Sequence, residues 1–199
     1  MKRIFIGTII IVLTIILVIA VVLTFGYTGG GSGDQETPAL EPTYYEIVSH
    51  VTSMVDGDTT WVWIDDIVVE LDPAGEVYEN TYEKVRYGGG IDAPEWNVEG
   101  GSESREFIEN LIPVGTVVYL DLNSLSVGGQ TGRPYRDTYE RLIAVIYTEI
   151  NGQWVNVNAE LLRWGQEAYP DHDWLKYIYF PSEWDPYEWL EDNYPYVLG

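Results

Sequence analysis

Three patterns of apolar and polar positions divide the chain. From Ile4 to Phe25 the residues are almost all apolar and carry no charge. At about 1.5 Å of rise per residue, a helix of that length spans roughly the 30 Å hydrocarbon layer of a bilayer. Thr28 to Pro42 (TGGGSGDQETPALEP) has no apolar periodicity and the composition of a flexible linker. From Thr43 onward short apolar runs alternate with turn signals, the pattern of a domain built from short strands and a few helices.

Within residues 43–199 the period of two predicts strands over Tyr44–Val55, Thr59–Ile64, Tyr82–Tyr87, Thr116–Leu122 and Leu142–Ile150. Asp56-Gly57, Asp65-Asp66, Asp72-Pro73-Ala74-Gly75 and Asn151-Gly152 read as turns, the last leading into Gln153–Val155. Ser102–Ile112 places Phe107, Ile108, Leu111 and Ile112 at helical spacing, with acidic residues in its first turn. Asn156–Trp164 predicts a second helix that Gly165 would cap. A short third helix is expected around Pro186–Asp192 in the aromatic, acidic tail. Asn123–Asp137 is too long for a plain connection. The order of elements is that of an α+β domain with a small closed barrel.

The flanks of the apolar run set its orientation. Lys2 and Arg3 precede it, whereas Asp34, Glu36 and Glu41 follow with no basic residue among them. That asymmetry keeps the N-terminus inside and puts the rest of the chain outside. A cleaved secretory signal has an apolar region of about 7–15 residues and ends at small residues. This run is longer and no Ala-x-Ala site follows it. The pattern therefore favours one transmembrane anchor within residues 1–27, with membrane contact through residues 4–25. A cleaved signal would release the same domain as a secreted protein.

Cysteine is absent, which excludes disulfides and thiolate metal sites. Charge changes the picture more. Beyond Lys2 and Arg3, 8 basic residues face 32 acidic ones, and the formal net charge of the chain is -22. Proteins that bind nucleic acid usually show the reverse. Either the chain does not touch nucleic acid, or it works in high salt, where a Debye length of about 3 Å leaves only local contacts.

Three segments concentrate the reactive side chains: Asp56-Gly57-Asp58-Thr59, then Arg86 to Glu95 (RYGGGIDAPE), then Asp137-Thr138-Tyr139-Glu140-Arg141. Singly each has a plain structural reading, a hairpin turn or a strand end before proline. Jointly they supply carboxylates and arginines, the inventory for a hard divalent cation, an activated water and a phosphodiester. Two further stretches accompany them, Leu142-Ile143-Ala144-Val145-Ile146-Tyr147 and the helix from Asn156 through Asn158, Leu161 and Gly165.

In this order and at these intervals, across roughly residues 44–168, the segments resemble the staphylococcal-nuclease-like (thermonuclease) family. The resemblance implies a five-stranded OB-type β-barrel with about three helices and a Ca2+-dependent nuclease. It places Asp58 and Asp92 as metal carboxylates and the Ala93 carbonyl as a backbone ligand. Glu95 would orient or deprotonate the attacking water, and Arg86 and Arg141 would bind phosphate. It also implies cleavage of DNA or RNA, single strands favoured, at the 5′ P–O bond. Asp56 is expected to orient its turn, and Thr59 either assists a metal-bound water or packs in its strand. Tyr135 and Tyr139 either stack on a base or pack on the barrel.

Two positions depart from the family pattern. Arg86 stands six positions before Asp92, one more than usual, through an extra glycine in Gly88-Gly89-Gly90. Glu140 stands where the family commonly has glycine. His50 reads as half-buried strand filler, Asp171-His172-Asp173 as an exposed loop, and the tail aromatics Trp184, Tyr187, Trp189, Tyr194 and Tyr196 as packing. A non-catalytic OB-fold module of the cell surface, binding Ca2+ or a protein partner through its acidic face, is the alternative to an enzyme.

Overall fold

The structure, a computed structural model, describes residues 42, 44–122, 133–176 and 184–193. The anchor and nearly all of the linker lie outside the described residues. Among those described, no helix is long and apolar enough to cross a membrane.

Six strands and three α-helices are found among the described residues: β1 (Ile47–Met54), β2 (Thr59–Ile67), β3 (Tyr82–Tyr87), α1 (Gly101–Leu111), β4 (Val117–Leu122), β5 (Leu142–Ile150), β6 (Gln153–Asn156), α2 (Val157–Ala168) and α3 (Pro186–Asn193). Strands β3, β2, β1, β4 and β5 pair in that order, and a parallel β3–β5 pairing closes them into a five-stranded barrel. This is an OB-type α+β fold. β6 extends the sheet as a hairpin on β5. Alternation along the strands sends Val51, Val62, Ile64, Val85, Val118 and Leu120 into a fully buried interior. β5 is buried from Leu142 to Tyr147 on both faces, because α2 covers its outer side.

Two local expectations are corrected. Asp65-Asp66 is not a turn: β2 continues to Ile67, and the register shifts from Val48↔Asp66 to Ser49↔Ile64 across a bulge at Asp65. Gly165 does not cap α2, which runs on to Ala168. A Cβ at Gly165 would lie 2.3 Å from the indole of Trp174, so the glycine makes room for a ring that is 1% exposed. Asn156 is the N-cap, its side chain accepting from Ala159 N–H.

Two features hold the site's framework. Asn158, fully buried in the first turn of α2, donates to the carbonyls of Gly88 and Ala144 (both 3.2 Å) and accepts from Ile146 N–H (3.0 Å). It thus ties the helix across the β3–β5 seam to the start of the glycine run. After α2, the chain returns beside that run. Asp92 N–H donates to the Trp174 carbonyl (2.9 Å), Lys176 N–H donates to the Gly90 carbonyl (3.1 Å), and Leu175 bridges Ile91.

Candidate active site

The β1–β2 turn is the floor of the site. Asp56 accepts the Asp58 N–H at 3.2 Å, and Gly57 lies against Ser104 of α1, where any Cβ would sit 2.3 Å from the hydroxyl. That close approach presses the turn onto the helix and holds Asp58, 2% exposed, beneath the surface. Its Oδ2 accepts from Ala93 N–H at 2.7 Å, and its Oδ1 accepts from the Thr59 hydroxyl at 3.1 Å and from Arg86 Nη1.

Arg86 faces Thr59 in the β2–β3 register. Its Nη2 donates to the Ile91 carbonyl at 2.6 Å and to Asp92 Oδ1 at 3.1 Å. One guanidinium therefore spans both carboxylates. The extra glycine does not turn Arg86 away: Gly89 and Gly90 take φ of 77° and 73°, left-handed values that glycine adopts without penalty, and the run absorbs the added residue.

Arg141 enters from the turn before β5. Its Nε and Nη2 donate to Asp137 Oδ2 at 2.7 and 2.6 Å, and its Nη1 donates to the Thr59 hydroxyl at 3.2 Å. These bonds use three of the five N–H donors of a guanidinium. Asp137 Oδ1 also accepts the backbone N–H groups of Tyr139 and Arg141, so the turn and its arginine share one anchor. Glu140 has φ of 64°, which explains why glycine suits that position, and its carboxylate pairs with Arg133. Tyr139 is 78% exposed with the Arg141 guanidinium 5.3 Å from its ring centroid, so it does not pack in the barrel. Tyr135 is structural: its hydroxyl accepts Asp72 N–H, and its ring lies on Gly75.

Asp58, Thr59, Arg86, Asp92, Asp137 and Arg141 line one cleft of about 570 Å3, together with Lys84, Pro94 and Glu95. Glu95 stands exposed at its rim. Burial pushes the Asp58 carboxyl up to about 7 against the opposing charge of Arg86, and Asp56 adds to the rise. Burial likewise works against the charge of Arg86, but Asp58 and Asp92 outweigh it and hold the guanidinium above its ordinary value.

Residues 84–171 match the family model described as Staphylococcal nuclease homologue. Over those residues the chain is similar to the staphylococcal nuclease homologues. Comparison with curated proteins finds no match. The matched residues begin in β3, so Arg86, Asp92, Glu95 and Arg141 fall inside them, whereas Asp58 joins the site through the β1–β2 turn of the barrel.

The oxygen donors of the cleft suit a hard cation. Asp58 and Asp92 offer oxygen only and are close enough to share one guanidinium. Among the described residues no group of three or more His, Cys, Asp and Glu is placed to hold a metal ion. Ala93 adjoins them through its N–H on Asp58.

Two further groups stand at the site: Lys176, which was not singled out from sequence, and His172, which the sequence pattern puts in an exposed loop. Lys176 Nζ lies 2.5 Å from Asp92 Oδ2. His172 Nε2 is 2.8 Å from the Asp92 carbonyl, to which an Nε2–H donates, so Asp171-His172-Asp173 is not a plain exposed loop. The available signal for Lys176 was its rarity, since the chain has only three lysines. His50 is half-buried as expected, its Nδ1 at 2.8 Å from Asp65. Trp184 and Trp189 are buried, whereas Tyr194 and Tyr196 lie outside the described residues.

Proposed function

We propose that this domain is a Ca2+-dependent nuclease hydrolysing phosphodiester bonds of DNA and RNA with little sequence preference. We further propose that residues 1–27 export it and anchor it by a single pass, with the domain outside. The observation that carries the catalytic reading is the chain Arg86–Asp58–Thr59–Arg141, which brings two guanidinium groups from different elements to one carboxylate floor. A non-catalytic module has no use for two arginines aimed at the same cleft with Glu95 on its rim.

In this reading Asp58 and Asp92 would hold a Ca2+, which would supply Lewis acidity toward the phosphodiester. Arg86 and Arg141 take the remaining phosphate oxygens by planar hydrogen bonds, and their charge meets the negative charge that builds in the transition state. Glu95 accepts the proton of the attacking water. Water oxygen bonds to phosphorus, the P–O5′ bond breaks, the departing O5′ takes a proton from solvent water, and the products carry a 3′-phosphate and a 5′-hydroxyl.

One observation favours the second reading, a non-catalytic surface module. Arg86 and Lys176 between them already neutralise Asp92. The test is to incubate the protein with end-labelled single-stranded DNA in Ca2+ or EDTA. Fragments ending in 3′-phosphate that form only with Ca2+ support the nuclease, whereas DNA left intact in Ca2+ supports the module.

A further inference from the structure

Beyond the cleft, β2 and β3 carry a second row of side chains that the reaction does not use. The register pairs Thr59 with Arg86, Trp61 with Lys84 and Trp63 with Tyr82. Because strand side chains alternate, these six share the outer face. The intervening Thr60, Val62, Ile64 and Val85 are buried on the other face. The Lys84 ammonium lies 5.0 Å from the Trp61 ring centroid, and the rings of Trp63 and Tyr82 meet edge-on at 4.6 Å. Trp61, Trp63 and Lys84 are half-buried and Tyr82 is 63% exposed.

Charge singles this row out. Apart from Lys2, the lysines of this acidic chain are Lys84, which lines the cleft, and Lys176, which pairs with Asp92. Glu83, the acid between Lys84 and Tyr82, lies on the alternate side and pairs with Arg136 at 2.8 Å. The row ends where His50, opposite Trp63, engages Asp65. Lys84 lines the cleft beside Arg86, so the row is continuous with it.

We propose that the Trp61–Lys84 and Trp63–Tyr82 pairs form an extended subsite for single-stranded nucleic acid leading out of the cleft. Lys84, held over Trp61, meets a backbone phosphate, and the aromatic rings take base faces. Each pair lies two residues beyond the last, about 6.6–6.8 Å along the strand, on the order of one nucleotide of an extended single strand. Stacking on protein rings needs unpaired bases, so the row selects single strands over duplex. A neutral glycan would use the rings but not the ammonium, and an acidic peptide the reverse. The assignment deepens the nuclease reading for the scissile phosphate, but binding along the row needs no catalysis.

The test uses the full chain in detergent micelles with EDTA and 0.3 M KCl, reading anisotropy of labelled oligothymidylates of two and eight nucleotides. The wild type should bind the octamer more tightly than the dimer, with quenching of tryptophan fluorescence. Trp63→Ala should lose about 5- to 150-fold of octamer affinity, the range of one lost stack. Lys84→Met, a change at a half-buried side chain that leaves the core intact, should weaken the octamer and lower the salt slope by about 0.7. Octamer affinities in both variants equal to wild type overturn the subsite, as does wild type that fails to bind the octamer. Equal competition by a neutral oligosaccharide or by oligoglutamate also overturns it. Cleavage in Ca2+ is scored separately: binding through the row without cleavage sinks the nuclease reading and keeps the subsite, whereas cleavage with unaffected variants does the opposite.

Discussion

Lys176 Nζ sits 2.5 Å from Asp92 Oδ2, while Arg86 donates to the other oxygen of the same carboxylate. The side chain that would share a divalent cation with Asp58 is thus bracketed by two cations of the protein itself. A cation arriving at Asp92 meets the lysine as a competitor. Lys176→Met should therefore tighten Ca2+ binding. With Lys176 42% exposed, the effect is limited to about two- to fivefold, the scale of a partly solvated ion pair. Calorimetric titration of both proteins checks this, and weaker binding by the variant would make Lys176 a support of the site.

Asp137 holds Arg141 through Nε and Nη2 and also accepts two backbone N–H groups of the same turn. Asp137→Asn removes the charge while keeping the shape, so Arg141 loses its fixed orientation. Turnover should fall about 10- to 100-fold, and Arg141→Lys, which lacks the planar fork, about 10²- to 10³-fold. The measurement is kcat and KM on single-stranded DNA beside a melt of each variant. Unchanged kcat in both would remove Arg141 from the chemistry.

Asn158 is the clearest stability test. Truncation to Ala strands Ile146 N–H and the carbonyl of Gly88 in a buried seam. Asn158→Ala should cost about 2–4 kcal/mol in urea unfolding. Because Gly88 opens the run that carries Asp92, the Ca2+ affinity should weaken with it. A loss below about 0.5 kcal/mol would show that the seam finds other partners.

Much of this was readable along the chain, because the information is local. The bounds of β3 and β4 follow from alternation to within a residue, and the Asp56–Thr59 and Arg86–Glu95 segments sit where turn chemistry puts them. The misreadings have one physical source, contacts distant in sequence. Gly165 resembles a helix cap until Trp174 folds over it. Asp65-Asp66 resembles a turn because two adjacent acids are usual there, yet β1 pairs along them. His172 and Lys176 reach Asp92 only through the Ile91–Leu175 bridge, which no local pattern announces.

Salt should act unlike its effect on a basic nuclease. With 8 basic residues against 32 acidic ones beyond Lys2 and Arg3, the long-range field repels a polyanion, and screening relieves this before it weakens the short contacts of Arg86 and Arg141. Initial rates at saturating Ca2+ should rise with KCl before falling. A rate that only declines from the lowest salt upward would show that the acidic surface does not govern substrate approach.

Glu95 offers the most direct test, since it lies exposed on the cleft rim and its loss should not disturb the fold. The measurement is the initial rate on single-stranded DNA at saturating Ca2+, wild type against Glu95→Gln purified side by side. Loss of general-base help predicts a fall of about 10²- to 10⁴-fold with an unchanged melting temperature. Equal rates in the two proteins, or no Ca2+-dependent cleavage by the wild type, would contradict a nuclease acting through this cleft.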